Sequence, residues 1–361
     1  MRALELRAGP RALDIIRERG LRLDDIDVLP GASGGAKWLV LAGLDRYLFG
    51  TVLGPGAAHA RTRPLHCIGS SIGSWRMACF AQRDPVAALN RGHLAYIYEQ
   101  VYTKNPEPRE VTDVLSRCLD RLLGDTGIDE MLTHPFARLH VITAQGRGLA
   151  ASERRLVLAT AIALAATANL VGRRSLALQF RRTVFHSAGD TTPFAHWRDL
   201  PTVHRTLSRE NARDVLIASG TIPLLVDGVR LPGAHETTRR EMHWDGGVTD
   251  YHLDLDFGAG DGLVLYPHFY AHVVPGWFDK SLRWRMARAA NFSRALLLAP
   301  SAEFVASLPG GKIPDRRDFS AFPRAERERR WQAVLDASAR LGEELHELIT
   351  TGALADRVVP W

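Results

Sequence analysis

Lysine and cysteine are both scarce in this sequence of 361 residues. Lysine occurs at four positions only, 37, 104, 280 and 312, so the net charge of +6 is carried almost entirely by arginine. A basic surface attracts nucleic acid, anionic lipid or acidic metabolites, although a coding bias toward arginine explains the same charge. No RNA-binding aromatic signature and no C-x₂-C pair accompany it, so we expect no nucleic-acid partner.

The three cysteines, Cys67, Cys79 and Cys118, are an odd number without metal-ligand spacing. They are typical of buried free thiols in a reducing compartment, and the sequence implies neither a metal ion nor an organic cofactor. Residues 1–20 also lack the apolar segment of a secretory signal. We therefore expect a cytoplasmic protein, with a peripheral position at the inner face of a membrane as a further option.

No apolar run reaches the roughly 20 strongly apolar residues of a transmembrane helix. Residues 156–171 are apolar but rich in alanine, and they include Thr160, Thr167 and Asn169. Two interpretations stay open: a buried packing helix, or a helix near the mouth of a site that contacts a membrane or an acyl chain. In the second case the flanking arginines at 154, 155, 173 and 174 would contact anionic head groups.

The first 85 residues contain two strand–turn–helix units. Residues 26–30 and 65–68 are short apolar runs that predict strands. Each is followed by a glycine-rich turn and a helical pattern, over 36–49 and 74–82. Such repetition favours a parallel α/β sheet, and we predict one domain over residues 1–361 with helical insertions. Further strand-like runs are 138–144, 263–267, 295–299 and, as a strand or the end of a buried helix, 214–218.

Ser71 lies in Gly69-Ser70-Ser71-Ile72-Gly73, a G-x-S-x-G motif between a predicted strand and a predicted helix. In that context a sharp turn exposes the serine hydroxyl, and the flanking glycines leave room for the crossing strand and helix. The chain contains a second match, Gly31-Ala32-Ser33-Gly34-Gly35. Both serines are therefore candidates for a nucleophile.

The second match lies in a glycine-rich loop that enters a helix. Such a loop presents unpaired backbone N–H groups, so it can bind the oxyanion of acyl transfer or a phosphate. The patterns G-x-x-x-x-G-K-[ST] and G-x-G-x-x-G are both absent, and a purely structural turn stays open. We predict Ser71 as the nucleophile, because Ser33 lies in the loop that is expected to present N–H groups.

Acyl transfer also requires a base for the serine proton. Asp245 is followed by Gly246 and Gly247, which places a carboxylate in a tight turn with little to block its approach. By itself an Asp-Gly-Gly sequence is more often a plain hairpin turn. Histidine is the alternative base, in an ordinary Ser-His-Asp arrangement. Four candidates follow the aspartate in the chain: His252, His268, His272 and His346.

The order of these elements resembles the patatin-like phospholipase family. That family has a G-G-x-R-G oxyanion loop, a G-x-S-x-G elbow a few dozen residues later, and an Asp-Gly-Gly or Asp-Gly-Ala turn. The corresponding segments here are 34–38, 69–73 and 245–247. Residues 218–223 resemble the A-S-x-A-x-P segment that precedes the aspartate in the family. The resemblance covers residues 25–255, whereas residues 256–361 match no pattern that we can name.

The resemblance implies a three-layer α/β/α patatin-like fold with a mostly parallel central sheet and helical insertions. It also implies a Ser71–Asp245 dyad without histidine, and an oxyanion and substrate-binding loop formed by Gly34, Gly35, Ala36 and Lys37. The expected function is serine acyl hydrolysis of lipid esters through an acyl-enzyme, as in a lipase, phospholipase A or carboxylesterase. An acyltransferase or thioesterase with the same dyad, or a non-catalytic lipid-binding protein, are the alternatives.

Several positions depart from the family pattern. Lys37 stands where the family usually has arginine, which keeps the charge but loses the bidentate fork. Trp38 replaces a glycine and is expected to narrow the oxyanion loop. Ser74-Trp75 stand where small residues are usual, and residues 249–252 replace an Asn-x-Pro segment. These changes leave the predicted dyad in place and concern the choice of substrate.

Overall fold

The apolar runs of the sequence form one central sheet. The computed structural model describes residues 2–54, 63–187, 192–233, 240–258 and 260–361. In this part of the chain the sheet has eleven strands. In chain order they are β1 (Leu4–Ala8), β2 (Ile26–Gly31), β3 (Leu65–Ser70), β4 (Ala137–Gly146), β5 (Phe180–Ser187), β6 (Thr202–Leu207), β7 (Val229–Pro232), β8 (Arg240–Asp245), β9 (Leu263–Pro267), β10 (Ala295–Pro300) and β11 (Val359–Pro360).

Helices and sheet together make a mixed α/β fold of three α/β/α layers, which confirms the predicted fold class. Strands that are covered on both faces are expected to be continuous apolar runs, and every residue of β9 and β10 is buried. The described residues include thirteen α-helices. They are α1 (Pro10–Arg19), α2 (Ala42–Tyr47), α3 (Ile72–Phe80), α4 (Pro85–Tyr98), α5 (Pro108–Leu123), α6 (Gly127–Leu132), α7 (Arg155–Val171), α8 (Ala212–Gly220), α9 (Ala302–Ser307), α10 (Asp318–Ala321), α11 (Arg324–Ala337), α12 (Ala339–Thr350) and α13 (Leu354–Arg357).

The strand order is β11-β1-β10-β9-β2-β3-β4-β5-β6, and β8 pairs with both β4 and β7. The centre of the sheet, from β10 to β4, is parallel throughout. Antiparallel pairs join β1 to β10, β4 to β5, β4 to β8 and β7 to β8. Strands β9 and β10 come from the last hundred residues, yet they lie between β1 and β2. The part of the chain without a recognisable pattern therefore completes the sheet.

The register of β4 brings two distant segments together. Strand β3 pairs along β4 as far as Ser70, opposite Ile142. The next residue of β4, Thr143, pairs with Asp245 of β8. Strand β5 pairs with the opposite edge of β4 in this region. Strand β8 therefore pairs with the same edge of β4 as β3 does, directly beyond the end of β3. Because β8 is antiparallel to β4, its last residue meets the residue that follows β3.

One segment differs from the sequence prediction, and a second resolves two alternatives that were left open. Residues 36–49, expected to be one helix, form a 3₁₀-helix (Gly35–Leu41), α2 and a π-helix (Leu48–Val52) in succession. Residues 214–218, for which a strand stayed open, lie within α8. A short apolar run looks alike in a strand and in a buried helix, so periodicity alone did not separate them.

Helix α7 covers the apolar segment for which two interpretations were open. Its inner face is buried through Leu158, Ala161 and Ala165, so the segment is a packing helix on that side. Its outer face leaves Leu156 and Leu164 exposed. No helix among the described residues is both long and apolar enough to cross a membrane.

The three cysteines are buried and none is part of a disulfide among the described residues, as expected. Burial raises the pKa of the Cys79 thiol, so this thiol stays protonated at neutral pH. These side chains act as small apolar residues of the core.

Candidate active site

Ser71 is the only residue between β3 and α3, so the predicted five-residue turn is reduced to one position. Its backbone has φ 55° and ψ −132°, a conformation that residues other than glycine rarely adopt and that stores strain. The Ser71 N–H donates to Ser219 Oγ over 2.9 Å, which holds the turn. The hydroxyl is thereby presented at the start of a helix, as in a nucleophile elbow.

The motif glycines around Ser71 are required because other backbone segments pass too close to them for a side chain. A Cβ atom at Gly69 would lie 2.4 Å from the backbone nitrogen of Ser74, and one at Gly73 would lie 1.9 Å from the carbonyl oxygen of Gly31. Backbone atoms cannot move aside as a flexible side chain can. The two glycines therefore leave room for the crossing strand and helix, as the motif predicts.

Asp245 is the last residue of β8, and its carboxylate is divided between two donors. The Ser71 hydroxyl donates to Oδ2 over 2.7 Å, and the Gly247 N–H donates to Oδ1 over 2.6 Å. Burial raises the pKa of Asp245 to about 6, although these two hydrogen bonds act in the opposite direction. The pair lies within the distance expected for a serine and its base.

The two glycines after Asp245 are also required by the lack of space for a side chain. A Cβ atom at Gly246 would lie 2.2 Å from the carbonyl oxygen of Ile142, and one at Gly247 would lie 2.7 Å from Ser33 Oγ. The turn therefore lies directly against β4 and against the glycine-rich loop. Larger residues would push the carboxylate away from Ser71.

Residues 218–223 hold both members of the pair. Ser219 Oγ accepts from the Ser71 N–H and donates to the Ile142 carbonyl over 2.7 Å. Two residues later, the Thr221 carbonyl accepts from the Asp245 N–H over 2.8 Å. The sequence marked this segment by its family resemblance only, and nothing in its composition indicated that it clamps the two sides of the site.

The glycine-rich loop lies beside the pair and enters the 3₁₀-helix Gly35–Leu41. Within the described residues, the N–H groups of Gly34 and Gly35 have no acceptor, and Gly35 has φ 55°, which favours glycine. These two glycines, together with Ala36 and Lys37, line the same cavity as Ser71. Such free N–H groups can hold a developing negative charge.

Ser33, the other serine in a G-x-S-x-G match, has a different setting. Its Oγ lies 2.9 Å from Ser70 Oγ, and its N–H donates to the Tyr251 carbonyl over 2.8 Å. The side chain is buried and bonds to no carboxylate in the described part of the chain. Ser33 links the ends of β2 and β3.

Trp38 does not narrow the oxyanion loop, so that expectation is wrong. The indole is buried and packs against His93 and Tyr96, at ring-centre distances of 4.3 and 5.5 Å. It does not line the cavity. The 3₁₀ turn that begins at Gly35 directs this side chain into the core.

None of the candidate histidines bonds to Ser71 or Asp245 in the residues that the structure describes. His252 accepts from the Val274 N–H over 3.0 Å, and burial lowers its pKa well below the ordinary value. His268 and His346 bond instead to Tyr270 and Tyr47. His272 lines the cavity. The serine and the carboxylate are in direct contact, with no imidazole between them.

A cavity of about 900 Å³ opens above the pair. Its walls are largely apolar, as is usual for sites that bind organic ligands. Part of the wall comes from residues 256–361, including Tyr270, Lys280 and Arg316. Sequence reasoning missed these three residues because no motif surrounds them. The only sequence signal for Lys280 is the scarcity of lysine, which makes each lysine in the chain a candidate functional residue.

Comparison with known proteins assigns neither a family nor a function to this chain. No protein-family model matches the chain, and no curated protein matches it. Among solved structures, the chain is similar to VipD from Legionella pneumophila, with 13% sequence identity and a TM-score of 0.33. The match covers 95% of this chain and 70% of VipD. A similarity of this degree carries no assignment of function.

Proposed function

We propose that this chain is a serine acyl hydrolase of the patatin-like type, which cleaves acyl esters of lipids as a lipase, phospholipase A or carboxylesterase. The observation that carries the proposal is the 2.7 Å hydrogen bond from the Ser71 hydroxyl to Asp245 Oδ2. A buried carboxylate that holds a strained, cavity-facing serine is a common arrangement for an activated nucleophile.

In the proposed reaction, Asp245 takes the proton of Ser71 as Oγ attacks the ester carbonyl carbon. The tetrahedral intermediate then expels the alcohol, which leaves with the proton from Asp245. Water attacks the resulting acyl-enzyme, and Asp245 takes a proton from that water. The collapse of the second intermediate releases the carboxylic acid and returns the proton to Ser71.

The electrostatics of the site support these roles. A general base works best when its pKa is near the operating pH, and burial raises the pKa of Asp245 to about 6. The negative charge on the carbonyl oxygen would be held by the N–H groups of Gly34 and Gly35. Removing one such donor typically reduces the rate about 10²-fold or more.

The first experiment is active-site labelling with a fluorophosphonate, followed by assays on a panel of carboxylic esters and phospholipids. We expect the label on Ser71. We expect Ser71→Ala to lose nearly all turnover and Ser33→Ala to keep a measurable fraction, since Ser33 lies outside the pair. If Ser33→Ala loses turnover and Ser71→Ala keeps it, Ser33 is the nucleophile and the proposed roles of the two loops are wrong. A folded wild-type protein that is neither labelled nor active would favour the non-catalytic lipid-binding alternative.

Product analysis separates hydrolysis from acyl transfer. The wild-type protein is incubated with an ester substrate in water and then with an added alcohol acceptor. Free acid as the main product supports the hydrolase. A dominant acylated alcohol would identify an acyltransferase with the same pair.

A further inference from the structure

Two of the four lysines in the chain line the cavity above Ser71. Lys37 follows the glycine-rich loop, and Lys280 follows the 3₁₀ turn Trp277–Asp279. In a chain whose basic residues are almost all arginine, lysine at both places is not explained by composition. A lysine ammonium is a compact point charge on a flexible stem, which suits a small anion in a narrow space.

Neither lysine forms an ion pair with a carboxylate among the described residues, although Asp245 and Asp315 act on Lys280 and Lys37 at longer range. Lys280 Nζ lies 3.8 Å from the ring centre of Tyr251, and Lys37 Nζ lies 5.8 Å from that of Phe269. Aromatic faces can hold an ammonium in place without neutralising it. By contrast, Lys312 pairs with two aspartates. The two cavity lysines are therefore positioned but not neutralised.

The cavity as a whole has an excess of positive charge. Desolvation by the cavity walls, reinforced by the charge of Lys37, lowers the pKa of Lys280 to about 7, although its side chain keeps contact with solvent in the cavity. A bound anion would relieve this repulsion. The charged side chains that face the cavity are the cations Lys37, Arg155, Lys280, Arg316 and Arg317 and the carboxylates Asp245 and Asp315, and the titratable histidines are His252 and His272.

We propose that Lys280 and Lys37 bind a phosphate group of the substrate, with Arg316 at the rim of the same cavity. The preferred substrate is then an acyl ester that carries a phosphate close to the bond that is cleaved. Two ammonium groups and a guanidinium exceed the single charge of a carboxylate and match a phosphate monoester. This inference rests on the proposed hydrolase function, and it applies equally to a soluble phosphate ester and to a lipid head group.

The kinetic test compares esters that differ only in the phosphate. The soluble pair is 1-butyryl-glycerol 3-phosphate and 1-butyrylglycerol, and the lipid pair is dioleoyl phosphatidate and dioleoylglycerol in mixed micelles. The wild type should prefer the phosphorylated member of at least one pair in kcat/KM. Lys280→Met should reduce that preference about tenfold or more, as for the loss of a charged hydrogen bond, and Lys280→Arg should restore most of it.

The control for this test is Arg17→Met, which removes one positive charge from α1, an element that contributes no residue to the cavity. Its preference should equal that of the wild type. An unchanged preference in Lys280→Met, or an equal fall for both members of a pair, would overturn the phosphate site. The pair that shows the preference tells whether the phosphate belongs to a soluble or a lipid substrate.

A binding measurement separates this inference from the hydrolase proposal. Calorimetric titration of the Ser71→Ala protein with glycerol 3-phosphate requires no turnover. Adding Lys280→Met should weaken binding about tenfold or more. If the wild type hydrolyses esters through Ser71 but Lys280→Met leaves the affinity unchanged, the phosphate site alone is wrong. If Ser71 is neither labelled nor active while the affinity depends on Lys280, the hydrolase proposal alone is wrong.

A different observation concerns the outer face of α7. Leu156, Leu164 and Leu170 recur on this face at helical spacing and are exposed, and Val171 is 93% exposed. Arg285 donates to the carbonyls of Asn169 and Leu170, which fixes the segment that bears Trp284 and Met286 beside the end of the helix. Both of these side chains are also exposed. We call these six exposed apolar side chains the α7 surface.

Basic residues predominate in the two segments that carry the α7 surface. Residues 154–189 and 280–302 contain no aspartate or glutamate, although Glu153 and Asp279 immediately precede them. The arginines at positions 154, 155, 174, 283 and 288 in these segments form no ion pair within the described residues. Exposed apolar patches of this kind mark interaction sites, and a cationic rim around an apolar helix face is the pattern of proteins that lie on anionic membranes.

We infer that the α7 surface docks onto an anionic lipid membrane. Charge complementarity favours this partner, since clustered arginines attract acidic lipid head groups. Arg155, at the start of α7, also lines the cavity. Docking on this face therefore brings the cavity mouth to the lipid, and the inference holds whether or not the site is catalytic.

Vesicle sedimentation tests this inference. The wild type should sediment with vesicles of phosphatidylcholine and phosphatidylserine, and much less with phosphatidylcholine alone. Leu164→Asp should weaken binding about tenfold or more, since burial of a leucine is worth about 1.5–3 kcal/mol. Leu94→Asp on α4 is the matched control, because Leu94 is 51% exposed and Leu164 is 50% exposed.

Val171→Ser keeps the test valid if Leu164→Asp fails to fold, since a side chain that is 93% exposed supports no core. Three results would each overturn the inference. The wild type does not sediment with anionic vesicles, or the α7 variants bind as well as Leu94→Asp. The third result is a dimer in sedimentation velocity that Leu164→Asp dissociates, which would mean that a second copy of the chain covers this face.

Discussion

At Asp245, the two carboxylate oxygens have different tasks. Oδ1 accepts from the Gly247 N–H of its own turn, and Oδ2 accepts from the Ser71 hydroxyl. In the proposed reaction, the first contact orients the carboxylate, and the second places it where it would take the proton of Ser71. A general base must be deprotonated to act, so the pKa of Asp245 would set the acid limb of activity.

We predict that kcat/KM falls about tenfold per pH unit below the pKa of Asp245, which burial raises to about 6. The carboxylate predominates above that pH and the inactive acid below it. Asp245→Asn should reduce the rate about 10²–10⁴-fold and remove this acid limb from any residual activity. A full rate in Asp245→Asn, or an acid limb that persists in the variant, would contradict the role of Asp245.

The same carboxylate should reduce the stability of the fold. A native pKa raised from 3.8 to about 6 means that the native state binds this proton more tightly than the unfolded chain does. Wild-type stability relative to Asp245→Asn is therefore lost as the pH rises from about 4 to about 6. We predict that Asp245→Asn is more stable by up to about 3 kcal/mol at pH 7. Thermal unfolding at pH 4 and pH 7 measures this, and an equal difference at both values would contradict it.

In the proposed hydrolase, Ser219 is a positioning residue for Ser71, because it bonds to the Ser71 backbone and to none of the atoms that would react. Ser219→Ala removes the acceptor of the Ser71 N–H and the donor to the Ile142 carbonyl. We predict a fall in kcat of about tenfold with little change in KM, since the loss of the hydrogen bond to the Ser71 N–H, worth about 1 kcal/mol, loosens Ser71 rather than the substrate. Ser307→Ala is the control, as Ser307 bonds only locally to Phe304. A change in KM alone would assign Ser219 to substrate binding instead.

At the scale of elements, the site depends on how closely α3 approaches β2. Two glycines face each other there, since a Cβ atom at Gly73 would lie 1.9 Å from the Gly31 carbonyl oxygen. Both partners are backbone, and neither can yield without moving a strand or a helix. Helix α3, which begins after Ser71, is therefore held at a fixed distance from the loop that follows β2.

We predict that Gly73→Ala lowers the free energy of unfolding by about 1–3 kcal/mol, as overpacking of a close contact does, and lowers ester hydrolysis with it. Gly172→Ala is the matched control, because a Cβ atom there has nothing within 4 Å and Gly172 does not line the cavity. Urea denaturation compares the two variants. Equal stability of Gly73→Ala and Gly172→Ala would show that the backbone contact does not constrain the fold at Ser71.

At the scale of the whole molecule, a buried charge network ties the edge of the sheet to the site. Arg182 on β5 is fully buried and bonds to both oxygens of Asp250 over 2.6 and 2.7 Å. It also bonds to both oxygens of Asp199 over 2.9 Å. The Asp250 N–H donates to the Gly246 carbonyl, so the network reaches the turn that carries Asp245.

We predict that Arg182→Met lowers the free energy of unfolding by about 3–5 kcal/mol, because it leaves Asp250 buried and unpaired. Arg213→Met is the control. It breaks an ion pair with Asp120 in which both side chains are exposed, and it should change stability by about 1 kcal/mol or less. Denaturation of both variants gives the comparison. A similar small effect in the two variants would mean that burial adds nothing to the Arg182 pairs.

The sequence by itself determined the local units of this protein. Strand, glycine-rich turn and helix follow one another within about 20 residues, so periodicity and turn chemistry predict them. The α/β class follows from the repetition of such units. The Asp-Gly-Gly and G-x-S-x-G motifs are also recognisable from short stretches of sequence, because each contains glycines where a tight turn leaves no room for a side chain.

Only the tertiary structure decided which distant segments meet. The pairing of Thr143 with Asp245 depends on the register of β4, which carries no local signal. The insertion of β9 and β10 between β1 and β2 brings Lys280 into the same cavity as Lys37. Contacts between residues hundreds of positions apart depend on the packing of the complete sheet, and no pattern within one segment encodes that packing.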